Sequence, residues 1–101
     1  MNMQFLMKQA QKIQQDIAKA QKDLTEKEYE GSAGGGAVKV QAKGDHIVTQ
    51  VTIDPDLMKE DIADVEAMLV LAFNDLTDKI LSDREAVMQP ITGGAKIPGL
   101  M

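Results

Sequence analysis

The chain has 101 residues, 44% of them apolar and 3% aromatic, with no Trp and no Cys, a size and composition for one domain with an aliphatic core. The lack of Cys excludes disulfides and thiolate metal sites, and the scarcity of aromatics argues against a stacking platform for single-stranded nucleic acid. A net charge of -5 counts against phosphate contacts, but residues 1–53 balance at +1 and residues 54–101 at -6, so an acidic total can conceal a basic face.

No basic segment leads into an apolar one as in a signal peptide, and no apolar run approaches the roughly 18 residues of a membrane span. The expectation is a soluble cytoplasmic chain with no membrane partner.

The first helix is predicted from Met1 to about Leu24 or Lys27, with Asn2 as its N-cap. Its apolar residues Met3, Leu6, Ala10, Ile13, Ile17, Ala20 and Leu24 alternate in steps of three and four, the seam of a helix that buries one narrow stripe against another helix. The seam fails at Lys27, and a short strand is expected over about Lys27 to Ser32. Gly34, Gly35 and Gly36 follow. Such a run can be a phosphate-cradling loop, a wide hairpin turn or a linker; the first would need a Gly-Lys-Ser/Thr ending, or a strand before and a helix after, whereas a strand follows here, so a hairpin turn is expected.

Val38, Val40 and Ala42 alternate with Lys39, Gln41 and Lys43, a half-buried second strand. Gly44-Asp45 turns the chain. The third strand should place Ile47, Val51 and Ile53 on one face, with Thr49 between them, and Val48, Gln50 and Thr52 looking the other way. Three strands with short turns give an antiparallel meander. Asp54-Pro55 closes the sheet, because Pro cannot continue a ladder but suits a first helical turn capped by Asp54. A short turn over Pro55 to Asp61 precedes a second helix from about Asp61 to Met88. Its stripe is Ile62, Val65, Leu69, Ala72, Phe73, Leu76, Ile80 and Val87, and it is broadened by Met68, Val70 and Leu71, as for a helix covered on more than one side. Residues 1–88 form the expected domain. Residues 89–101, with Pro90, Gly93, Gly94, Pro98 and Gly99, are expected as a flexible tail.

The fold class is therefore α+β: a long helix, a three-stranded antiparallel meander and a second long helix. A first helix about 35–40 Å long outruns strands of about 20 Å. The meander should cover about half of its seam, and a second copy of the chain is the simplest cover for the rest, so a homodimer is expected.

With Met3 at heptad position a, Lys8 and Lys22 fall at f with Gln15 between them, and Lys12 and Lys19 fall at c. All stand away from the seam, while Asp16 and Asp23 fall at g beside it. Lys and Gln suit phosphate and sugar contacts that position a protein without reading sequence. Lys and Gln also line most solvated helix faces, and the pattern alone leaves both readings open. The acids Asp54, Asp56, Glu60, Asp61 and Asp64 lack calcium-loop spacing and match the ordinary preference of a helix start for negative charge. His46 has no Ser, Cys or second His to make a catalytic set. The seven Met suit interface gap-filling, with a peptide-binding surface as the other reading. No paired groups point to acid–base catalysis, so the chain does not read as an enzyme.

Leu6-Met7-Lys8-Gln9-Ala10-Gln11, the Gly-rich turn into Ala37-Val38-Lys39-Val40, Val51-Thr52-Ile53-Asp54-Pro55-Asp56-Leu57, Ala72-Phe73-Asn74-Asp75 and the closing Pro98-Gly99-Leu100-Met101 occur in one order over nearly the whole chain. In this set the chain resembles the YbaB/EbfC nucleoid-associated proteins of bacteria. The resemblance implies a small α+β protomer and a homodimer whose helices project like tweezers. It implies binding to double-stranded DNA with little sequence preference, a part in nucleoid organisation and gene regulation, and no cofactor or small-molecule substrate. The projecting-helix contacts map onto Lys8, Gln9 and Gln11. The stripe adds Lys12, Gln15, Lys19 and Lys22. The chain departs from its relatives in a more acidic second helix and in Leu76-Thr77, where small and basic residues are common. The alternative from another class is a dimeric helical clamp that binds a protein through its exposed Met and apolar seam.

Overall fold

The computed structural model describes residues 2–92. Helix α1 spans Met3–Glu26, strand β1 Glu28–Ala33, strand β2 Val38–Lys43, strand β3 Val48–Ile53 and helix α2 Ile62–Thr92. Short 3-10 segments, Gly34–Gly36 and Pro55–Lys59, connect β1 to β2 and β3 to α2. The sheet is antiparallel in the order β1-β2-β3. The expected α+β order of helix, meander and helix is the one that forms.

Local chemistry sets most boundaries. The Asn2 side chain accepts the Gln4 N–H at 3.0 Å and starts α1. Lys27 ends it: its backbone is extended, yet its N–H still bonds the Asp23 carbonyl at 3.0 Å. The strand therefore begins at Glu28, one residue later than the pattern suggests. All three glycines of Gly34–Gly36 have positive φ, which only Gly adopts freely, and the chain reverses there as a hairpin. Asp54 accepts the Asp56 N–H at 3.0 Å and caps the 3-10 segment that begins with Pro55.

The core lies where α2 crosses β1 and β2. Val38, Val40 and Ala42 are buried beneath Ala72, Leu76 and Ile80, with Leu57 closing one end. Gly31 lets the helix sit directly on β1, since a Cβ there would lie 2.3 Å from the Ala72 carbonyl oxygen. Two α2 side chains also close the outer edge of β1. Asp75 accepts the Ser32 N–H at 2.9 Å, and Lys79 donates to the Glu30 carbonyl at 2.9 Å while standing 3.1 Å from Asp75. Among the described residues no side chain caps the outer edge of β3.

Four expectations are corrected. First, β3 is exposed throughout, because α2 is spent on β1 and β2. A register shift at Gln41/Ala42 also flips its parity: Gln50 pairs with Gln41, but Val48 pairs with Ala42. Val48, not Ile47, therefore joins Val51 and Ile53 on the helix-facing side, and Ile47 falls outside the strand. Second, α2 does not end at Met88 but runs to Thr92 with Pro90 inside it. Pro90 removes one backbone donor near the helix end, while Met88 and Ile91 gain contacts on either side of it with Ala20, Leu24 and Ile17 of α1. The remainder of the expected tail, 93–101, lies outside the described residues. Third, the expected stripe of α2 is only partly buried: Ile62, Phe73 and Val87 are exposed, and Val65 and Leu69 half-buried. Fourth, the meander does not cover half of the α1 seam. Among the described residues only the last three turns of α1 pack, and they pack on the end of α2; Met3, Leu6, Ala10 and Ile13 are exposed. The reason is that α2 already occupies the apolar face of the sheet, while the other face carries Lys39, Gln41 and Lys43.

The result is an elongated protomer, 70 × 20 × 19 Å, with a radius of gyration of 19.0 Å against about 13 Å for a compact chain of this length. The excess comes from the N-terminal part of α1, which runs beyond the other described elements.

Candidate nucleic-acid interface

Helix α1 runs antiparallel to the last turns of α2. Lys27 meets Asp83, Ala20 and Leu24 meet Met88, and Ile17 lies by Ile91. Residues 3–16 then continue past the end of the described α2 as a free arm, every one of them exposed. Gln, Met and Lys dominate the arm, all good helix formers, so it can hold as a helix through propensity where packing on the other described elements is missing.

On this arm stand Lys8, Gln9, Gln11, Lys12 and Gln15, all exposed. Lys19 and Lys22 are exposed too but lie nearer the base. Lys19, Asp16 and Asp23 border a cleft of about 420 Å³ between the helices, floored by Ala20, Leu24, Val87 and Ile91. Asp16 stands within one helical turn of both Lys12 and Lys19, whereas Lys8 has no acid within one turn of α1. Lys8 and Lys22 are 14 positions apart, a row of roughly 21 Å along the helix axis. None of Lys8, Lys12, Lys19 and Lys22 forms an ion pair among the described residues, where the lysines that do are Lys27, with Asp83, and Lys79, with Asp75. The tip of the arm is apolar: Met3, Phe5 and Met7 are 69%, 58% and 60% exposed.

The base of the arm holds a group that heptad reasoning missed. Lys27, placed by the pattern at a failed seam position, sets its Nζ 2.7 Å from Asp83 Oδ2 and 5.3 Å from the centre of the Tyr29 ring. The Tyr29 hydroxyl donates to the same Asp83 oxygen. The hydrogen bond from Lys27, and then that from Tyr29, hold the Asp83 carboxyl below its ordinary range. Burial, followed by the bond to Asp83 and the charge of that carboxylate, pushes the Tyr29 hydroxyl up to about 12. On α2, the Ser32 N–H and then Lys79 lower Asp75 in the same way.

The acids between Asp54 and Asp64 do not converge: among the described residues no group of His, Cys, Asp or Glu is placed to hold a metal ion. His46 occupies a turn with a φ of 68°, next to Asp45, whose carboxylate accepts the Ile47 N–H. No described helix is long and apolar enough to cross a membrane.

Residues 1–95 match the model of the YbaB/EbfC DNA-binding family. The chain is 42% identical over 101 residues to a nucleoid-associated protein of Clostridium novyi (strain NT), a match covering 99% of this chain and 89% of that one. Its fold is similar to the crystal structure of an uncharacterized protein from Helicobacter pylori, with a TM-score of 0.73 at 20% identity, over 92% of this chain and 99% of the other.

Proposed function

Because the chain belongs to the YbaB/EbfC DNA-binding family, we propose that it is a nucleoid-associated protein of the cytoplasm that grips double-stranded DNA as a homodimer, with little sequence preference. It contributes in this way to nucleoid organisation and gene regulation. The contacts run from Lys8, Gln9, Gln11, Lys12, Gln15, Lys19 and Lys22 to phosphate and sugar, and they need no cofactor or small-molecule substrate. The observation that carries the reading is the arm itself: a helix that runs beyond the other described elements, with lysines that form no ion pair among the described residues.

The dimer is supported by what one protomer leaves bare. Asp75 and Lys79 mark the β1 flank of α2, and Phe73 lies about 160° round the helix from Asp75, towards β3. Phe73 and Val70 with Val48, Val51 and Ile53 make an exposed apolar surface beside the uncapped edge of β3. A second copy covers that surface and brings a second arm. Sedimentation at dilute concentration should give a dimer, and a lone folded protomer would overturn this part.

DNA binding is tested by titrating duplex DNA across a salt series. Eight lysines in a dimer give a log–log slope of about -7, so a fourfold rise in salt weakens binding by about 10⁴-fold. Reversing Lys8, Lys12, Lys19 and Lys22 to Glu should abolish binding and leave the dimer intact. Unchanged binding by that variant would refute the assignment. The apolar tip of the arm favours one other reading, a helical clamp on a protein partner. A dimeric wild-type chain with no salt-dependent affinity for DNA would select it.

A further inference from the structure

We propose that Lys27, Tyr29 and Asp83, together with Arg84 and Gly44, are positioning residues that fix the direction of the α1 arm and so align the lysine row with the duplex. The inference rests on the DNA-binding reading above for its purpose, but not for its geometry. Helix α1 joins the sheet through a single extended residue, Lys27 (φ -67°, ψ 141°), and its packing is confined to Ile17, Ala20 and Leu24. From Ile17, the last packed residue, to the tip at Met3 the arm is roughly 21 Å long, so a swing of 10° moves the tip by about 4 Å. That exceeds the reach of a hydrogen bond. A lever this long needs a fixed base.

The base is held on two sides. On one, three elements meet at one oxygen: Lys27 from the end of α1, Tyr29 from β1 and Asp83 from α2. On the other, the turn after β2 is fastened to the helix end. The Gly44 N–H bonds the Lys27 carbonyl at 2.9 Å, and Arg84 Nη2 donates to the Gly44 carbonyl at 3.2 Å. Gly44 is pressed so close that a Cβ there would fall 1.7 Å from the Leu24 carbonyl oxygen. The Lys27 side chain, the Lys27 carbonyl and the Leu24 backbone are each held, and with the packing of Ile17 on Ile91 they brace the helix at more than one point along its axis. The side-chain tie sits at the surface, with Lys27 53% and Asp83 27% exposed, and ion pairs of that kind add little to folding. Its geometric effect can therefore be read in variants that stay folded.

Charge gives the test a sign. Asp83→Asn removes a negative charge and releases Lys27, so electrostatics alone predicts tighter DNA binding. Positioning predicts weaker binding, because an arm that is aligned only part of the time binds in proportion to that fraction. With each of two arms aligned about a third of the time, affinity falls by about tenfold. Tyr29→Phe, which changes no charge, should weaken binding in the same direction. The salt slope should stay at the wild-type value in both variants, since the bound state keeps its phosphate contacts. Independently of DNA, nitroxide labels at Gln4→Cys and Thr52→Cys, in a chain that has no native Cys, report the arm-to-sheet distance in protomers diluted with unlabelled chain. A narrow distribution should broaden in Asp83→Asn and Tyr29→Phe at a temperature where circular dichroism shows both variants still folded. An unchanged distribution overturns the proposal, as does a salt slope that drops along with affinity, or tighter binding by Asp83→Asn. If the wild type fails to bind DNA, the DNA-binding reading falls, and the distance measurement still decides whether these residues hold the arm.

Discussion

Replacing Gly31 by Ala should separate helix α2 from the sheet. The new Cβ would lie 2.3 Å from the Ala72 carbonyl oxygen, 2.5 Å from the Leu76 nitrogen and 2.6 Å from the Leu76 Cβ, where ordinary contact begins at 3.4 Å. Two of the three atoms are helix backbone and cannot rotate away. The helix must retreat by about 1 Å over Gly31, and a gap of that size forfeits a quarter to a half of the dispersion well for each contact across it. Ala72, Leu76 and Ile80 all pack from that stretch onto Val38, Val40 and Ala42. Overpacking by one methyl ordinarily costs about 1–3 kcal/mol, and the rigid neighbours place this case at about 3 kcal/mol. Against a total stability of about 5–15 kcal/mol this is a large fraction. The thermal midpoint should fall by roughly 10–25 °C. Circular dichroism melts at one fixed protomer concentration measure it, since association makes the midpoint depend on concentration. Gly35→Ala is the comparison: it has a φ of 67° but open space around it, and it should cost only the left-handed strain of about 1–2 kcal/mol. If Gly31→Ala melted with the wild type, or lost less than Gly35→Ala, the close helix–sheet approach would be wrong.

The single Tyr and the absence of Trp make Tyr29 directly readable by ultraviolet titration. Its midpoint should lie near 12 in the folded protein, and Asp83→Ala should bring it only part of the way back towards 10, because burial is the larger cause. The folded value is raised, so the associated stability is complete below pH 10 and is lost as pH climbs through 12. Asp83 acts in the opposite sense: its folded value is lowered, so its contribution is present above about pH 3.9 and disappears as pH falls through the lower folded value. Urea midpoints across pH should show both losses in the wild type and a weaker acid loss in Asp83→Asn. Pro90→Ala restores the backbone donor to the Ala86 carbonyl in the last turns of α2 and should stabilise the protein by about 1 kcal/mol, a rise of a few degrees in the melt; a lower midpoint would show that the ring is needed there.

Much of the fold was legible because it is local. The three-and-four spacing of Met3 to Leu24 specifies a helix, the alternation from Val38 to Lys43 a strand, and Asp54-Pro55 the end of a sheet. The row of Lys8, Gln15 and Lys22 could be placed on one helix face for the same reason, and the structure leaves it exposed. The strand β3 was misread because parity is a counting argument, and one extra residue in a bulge reverses the count. Pro90 was read as a stop because its local cost is plain in sequence, while the contacts of Met88 and Ile91 with α1 are not.

By itself, then, the sequence determined the elements, their order and which helix face carries charge, since each follows from neighbours within a few residues along the chain. Where those elements meet was decided in three dimensions. The sheet offers one apolar face, α2 takes it, and α1 is left to project from a joint where Lys27 finds Asp83 56 residues away. No spacing rule reaches that far, because the two side chains meet only after a hairpin, a bulge and a helix crossing have folded the chain back on itself.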